Sequence, residues 1–267
     1  MSLQKQRIEV LNLISKKVLS WGDQPAPKSD AALDALVRTI YGLPPQSSST
    51  ATYSFITPST PQSEIDTPVQ RVLKRLDVLG IRLAKPICQN CFHTYVLGIE
   101  GLGQDWKSNC DRIDEYNDLV CTIDVNQDGV VTLSKAYRGT TEAGKYYTDD
   151  PLNAQGAAHV KLDFMHKDIW VLGKHNNQFN CLVQTGGEIT ITRDLNRDGT
   201  RLGDSPSMSG YYGINLHSAM DNLGSIGKWS AGCCVIPKVS EKDALVNHIQ
   251  KAVNKKISYI LLDGSKL

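Results

Sequence analysis

Apolar positions in this chain follow two different periods, and the switch between them divides it. Near the N-terminus the spacing is helical: Leu11, Ile14 and Val18 share one face, and Leu33, Leu36, Val37 and Ile40 form a second stripe. Ser29 and Asp30 offer a cap for that second helix, and Pro44-Pro45 stops it. Residues 46–63 are dominated by Ser, Thr and Pro, the composition of a linker or an extended arm. Asp66-Thr67-Pro68 then opens a further helix, with Val69, Val72, Leu73 and Leu76 as its stripe and Gly80 at its end. Core packing is the expected use of these faces.

Beyond about residue 92 the texture changes to short β-branched and aromatic runs separated by turns. Strands are expected at 95–99, 119–124, 130–133, 159–164, 168–172, 180–184 and 188–193. An amphipathic helix is expected over 241–255, through Leu245, Ile249, Ala252 and Val253, followed by a buried closing strand at 257–262. The fold class read from this pattern is mainly β with α: a sandwich or barrel-like domain at 93–267, preceded by a helical region at 1–45, a linker at 46–63, and a helix with its lead-in at 64–92.

Asp124-Val125-Asn126-Gln127-Asp128-Gly129 and Asp194-Leu195-Asn196-Arg197-Asp198-Gly199 share the first half of a calcium-loop pattern. Lys135 and Ser205 stand where the closing glutamate belongs, so hairpin turns are the preferred reading and weak calcium binding the alternative.

Composition narrows the function. The net charge of +1 gives no electrostatic reason to expect nucleic acid as a partner. No apolar run reaches the length of a bilayer span, and Met1 to Val18 lacks a continuous signal-peptide core. The seven cysteines are scattered, which favours reduced thiols over a disulfide framework. Cys88-Gln89-Asn90-Cys91 lacks the second pair that a zinc site needs, so packing or an occasional disulfide is preferred there and no metal or organic cofactor is expected. Gly186-Gly187 is not followed by the Lys-Ser/Thr of a phosphate loop, and no dinucleotide fingerprint is present.

Chemistry concentrates in Gly213-Ile214-Asn215-Leu216-His217-Ser218 and Lys228-Trp229-Ser230-Ala231-Gly232-Cys233. A thiol becomes a nucleophile as its thiolate, and a nearby imidazole takes the proton. The glycine before the cysteine allows a sharp turn that aims backbone N–H groups at a developing oxyanion.

This pattern resembles the catalytic signature of the L,D-transpeptidases, including a phage-associated variant of that family. Ala231 stands where the family carries a second histidine. The resemblance implies Cys233 as nucleophile, His217 as general base, Ser218 as the residue orienting it, and the N–H groups of Gly232 and Cys233 as much of the oxyanion hole. It further implies a peptidoglycan stem peptide as substrate and the periplasm or cell wall as the place of action. Among substrate-contacting candidates, Ser230 sits at the turn, Trp229 forms a cleft wall, Tyr212 offers a hydroxyl or an aromatic face, and His175 lines the cleft or fills the role left open at Ala231. A sortase is disfavoured because no arginine follows Cys233. A murein peptidase acting in lysis or as a delivered toxin and a non-catalytic wall-binding module are the alternatives. The oligomeric state is not legible.

Overall fold

The computed structural model describes residues 66–267; the helices expected within 1–45 and the linker expected at 46–63 lie outside the described residues. The first described helix, α1 (Pro68–Val78), begins where Thr67 and Gln70 form a capping box, each side chain satisfying the other's backbone N–H. Val72 and Leu76 are buried in one cluster with Leu97, Ile99, Ile123 and Ile260, so the helix belongs to the same core as the strands. Arg75, paired with Asp163, ties it down at its rim.

Twelve strands follow. They are β1 (Phe92–Glu100), β2 (Asp118–Asn126), β3 (Val131–Leu133), β4 (Tyr137–Gly139), β5 (Ala158–Val160), β6 (Phe164–His175), β7 (Gln178–Val183), β8 (Ile189–Arg193), β9 (Met208–Gly210), β10 (Leu216–Ser218), β11 (Cys234–Ile236) and β12 (Ile257–Asp263). A short helix, α2 (Lys145–Asp149), follows β4, and α3 (Val239–Ile249) lies between the last two strands. Nine strands form one mixed sheet in the order β11-β10-β7-β6-β12-β1-β2-β3, with β4 also on β2; β5, β8 and β9 form a second, three-stranded sheet. The protein is therefore mainly β with a few helices.

The two ends of the large sheet meet. Thr140, immediately after β4, exchanges two backbone hydrogen bonds of 2.9 Å with Val235 of β11. Closure of this kind removes exposed edges and lets both faces be buried. Accordingly β1 is buried along most of its length, with Val96 in a cluster that includes Trp170, Leu216 and Tyr259, and Leu97 in the cluster under α1.

Several expectations are corrected. The single strand expected over 159–164 is two strands, because Asp163 adopts φ +55° and its carboxylate is taken by Arg75 and Lys266, which makes a turn before Phe164. The helix expected at 241–255 is shorter, closing at Ile249. Asn126 makes a hairpin between β2 and β3, its side-chain oxygen accepting from the N–H groups of Asp128 and Val130 at 2.9 Å each. The second Asp-Gly turn is not a tight hairpin: Asp194, fully buried, folds the start of a long loop by accepting from Asp198 and Gly199. Cys88 and Cys91 are joined as a disulfide, whereas Cys110, Cys121, Cys181, Cys233 and Cys234 are free thiols.

Candidate active site

The parallel pairing of β10 with β11 places the two segments singled out by their chemistry side by side. Leu216 pairs with Cys234 and His217 with Val235. Because side chains alternate along a strand, Leu216 and Cys234 enter the main core together. His217 and Cys233 therefore share the opposite face, and both line a cleft of about 350 Å³. Of the vicinal cysteines, only Cys233 reaches that cleft.

The turn before Cys233 requires its glycine. Gly232 has φ +126°, and a Cβ there would lie 2.7 Å from the Ala158 carbonyl oxygen. Ser230 locks the same turn, its hydroxyl donating to the Cys233 carbonyl at 2.9 Å and accepting from the Gly232 N–H at 3.1 Å. Two expectations change as a result. Ser230 is buried and shapes the turn without lining the cleft, and the Gly232 N–H is engaged by the Ser230 hydroxyl. The Cys233 N–H has no hydrogen-bond partner among the described residues.

His217 is set up as a neutral base. Its Nδ1 lies 2.9 Å from the Ser218 carbonyl oxygen, which can only accept, so Nδ1 carries the proton and Nε2 keeps its lone pair. Ser218 thus orients His217 through its carbonyl; its hydroxyl donates to Gln178 at 2.7 Å. Gln178 also donates from Nε2 to that Ser218 carbonyl, fixing it from the far side. Burial pushes the His217 imidazole down to about 4, against the opposing pull of the carbonyl.

His175, at the tip of the β6–β7 hairpin, stacks on His217 with ring centroids 4.5 Å apart. Asn215 fixes its tautomer. The Asn215 side-chain oxygen accepts from the Gln184 N–H at 2.8 Å, so its amide nitrogen donates to His175 Nδ1 at 2.9 Å. His175 is then neutral at Nδ1, with the Asn176 side-chain nitrogen 3.3 Å from its Nε2, in keeping with a burial that lowers its affinity for a second proton. It comes from a different strand, yet lies on the same cleft as Ala231.

The Cys233 sulfur accepts from the Asn215 N–H at 3.4 Å and donates toward the Gly213 carbonyl at 3.6 Å. Among the described residues it makes no hydrogen bond to His217. Burial pushes the thiol up to about 11, with the Asn215 N–H pulling the other way. The resting pair is thus thiol and neutral imidazole. Trp229 and Tyr212 also line the cleft, while Tyr211 points largely to solvent.

Sequence reasoning missed the parts played by Asn215, Gln178 and Gln184. Gln184 accepts from the N–H groups of Tyr212 and Ile214 at 3.0 Å each, which fixes the approach to His217. No local spacing signals such roles, since the partners lie some 30 to 40 residues apart. Among the described residues one cluster has metal-ligand chemistry: carboxylate oxygens of Glu100, Asp111 and Glu142 lie within 4.8 Å of one another, with Arg201 among them as a built-in counter-charge. Among the described residues, no helix is long and apolar enough to cross a membrane.

Comparisons with protein-family models, with curated proteins and with solved structures find no match to this chain. Fold and site together define a mainly β protein with a thiol and a neutral imidazole on the wall of one cleft.

Proposed function

We propose that this protein is a cysteine acyltransferase of the L,D-transpeptidase type, acting on peptidoglycan stem peptides in the periplasm or cell wall. The observation that carries the reading is the tautomer of His217: a buried imidazole, its Nδ1–H held by a fixed carbonyl, presents a free Nε2 to the cleft that holds the Cys233 sulfur.

As substrate enters, the Cys233 S–H proton passes to His217 Nε2 and sulfur attacks the amide carbonyl carbon. The oxyanion forms beside the free Cys233 N–H, and the Asn215 N–H stabilises charge on sulfur. Collapse breaks the C–N bond, and His217 returns its proton to the departing amine. An acceptor amine or water then attacks the thioester, giving transfer or hydrolysis and restoring the thiol. No step requires a metal or organic cofactor.

Purified tetrapeptide muropeptides, incubated with the protein and analysed by mass spectrometry, test the reading. Cross-linked dimers mean transfer, and loss of the terminal residue means hydrolysis. Either product must vanish in Cys233→Ala. Unchanged muropeptides with the wild-type protein would overturn the enzymatic reading in favour of a wall-binding module.

A further inference from the structure

A second chamber of about 240 Å³ adjoins the Cys233 cleft, and the two share Tyr147, Leu152, Tyr212, Ile214 and Ala231 in their walls. They form one continuous groove that runs past the nucleophile. Its far part contains Arg193, at the end of β8, where Ala158 of β5 is its register partner. That same Ala158 abuts Gly232, so Arg193 lies one strand away from the turn that carries Cys233.

The Arg193 guanidinium is incompletely satisfied. Nη1 donates to the Gly156 carbonyl at 3.3 Å, whereas Nε is buried without a partner. The cation lies 5.4 Å over the Tyr212 ring, Arg193 lines the chamber, and its Nη2 has no hydrogen-bond partner among the described residues. Among the described residues Arg193 forms no ion pair. Burial disfavours its charge, and no carboxylate compensates. At the other end of the groove Lys228 lies over Tyr146 at 4.2 Å. Neither chamber has a carboxylate in its lining.

A guanidinium always carries its charge, and this one is half-buried with no acid among the described residues to neutralise it, so an anion in the chamber would supply its counter-charge. A planar fork of N–H donors matches a carboxylate in two parallel hydrogen bonds. We propose that Arg193 forms an anion subsite of the groove, receiving a carboxylate of the peptide substrate close to the carbonyl that Cys233 attacks. The position of the subsite relative to the reacting bond rests on the acyl-transfer reading; the recognition of a carboxylate does not.

The test separates the two. A free tetrapeptide stem and its counterpart with every carboxylate amidated are titrated calorimetrically into the Cys233→Ala protein, where no turnover intervenes. The acid form is expected to bind about 10- to 100-fold more tightly, the range of a charge-assisted bidentate contact. Adding Arg193→Met should remove that preference, and Arg193→Lys should leave part of it, because Lys keeps the charge and loses the fork. Equal binding of the two peptides, no binding of either, or a preference unchanged by Arg193→Met would overturn the subsite. Turnover by wild type without the preference would sink the subsite and spare the acyl-transfer reading. The preference without turnover would do the reverse.

Discussion

Two charged regions lie on either side of one short segment, and the fold treats them in opposite ways. Behind residues 140–144, Arg201 is chelated by Glu100, while Asp118 accepts from the Gly101 N–H, the Thr141 N–H and the Thr141 hydroxyl. In front of it, Gly144 holds the Ser230 carbonyl at 2.9 Å, and the groove beyond contains His217, His175, Lys228 and Arg193 without a carboxylate. The sealed region meets part of its charge internally, through Arg201 and backbone donors, and crowds the remaining carboxylates together. The open one leaves its cations without an acid in the lining, which is the state expected of a surface whose partner arrives from outside.

The sharpest way to break this contrast is at the base. His217→Gln is expected to lower kcat/KM about 10²- to 10⁴-fold with the fold intact, the usual worth of a positioned general base. In the wild type, kcat/KM should stay level with pH between the two limits set by the pair, about 4 for His217 and about 11 for Cys233, falling outside them. A bell centred near neutrality would instead mean a resting thiolate and imidazolium, and would contradict the burial-driven neutral pair.

Next in size is the difference between the two arginines. Arg201→Met leaves Glu100 buried without its partner and is expected to cost about 3–5 kcal/mol in chemical denaturation. Arg193→Met removes a cation that no internal acid needs, and is expected to change stability by less than about 1 kcal/mol. Similar losses at both positions would mean that Arg193 is a structural prop.

A smaller effect should separate the stacked histidines. His175→Ala removes the ring packed on His217 and the partner of the Asn215 amide. An effect of about tenfold on kcat is expected, since His217 keeps its Ser218 carbonyl and Gln178 brace. Steady-state kinetics with the same muropeptides measures it. A loss as large as that of His217→Gln would make His175 a direct participant.

The contrast also explains what could be read from the chain beforehand. The helix at Pro68, most strands and the pairing of His217 with Cys233 on one cleft follow local pattern, because alternation and capping are written in neighbouring residues. The closure of the sheet through Thr140 and Val235 depends on a meeting of distant segments and left no local mark. Likewise Arg201 finds Glu100 across 101 residues, and Arg193 gains its place only when β8 pairs with β5. The occupied Gly232 N–H was hidden for another reason: it depends on the rotamer of Ser230, which composition does not encode. The likeness to L,D-transpeptidases is carried by the motif and is tested by turnover.

The smallest expected effect concerns stability against pH, and here the two regions pull in opposite directions. His217 in the groove, and His166 stacked on Tyr259 outside it, are pushed down to about 4 by burial, so below pH 6.5 the unfolded chain takes up protons that the fold refuses. Their contribution is full above the unfolded value and is lost as pH falls from about 6.5 toward 4. Asp111 is pushed up to about 6 and Asp118 to about 8 by burial and by Glu100 beside them, the latter against the pull of its Gly101 and Thr141 donors, and Glu142 is raised for the same reasons. For these acids the fold keeps protons that the unfolded chain releases, so stability is present below the ordinary carboxylate range and is lost as pH rises through about 6 for Asp111 and about 8 for Asp118. Glu142→Gln mimics the protonated acid and should flatten that alkaline-side decline while leaving the acid side unchanged. Urea midpoints at pH 5 and pH 8 for the two proteins measure it; an equal decline in both would show that the sealed cluster holds no shared proton and is compensated by Arg201 alone.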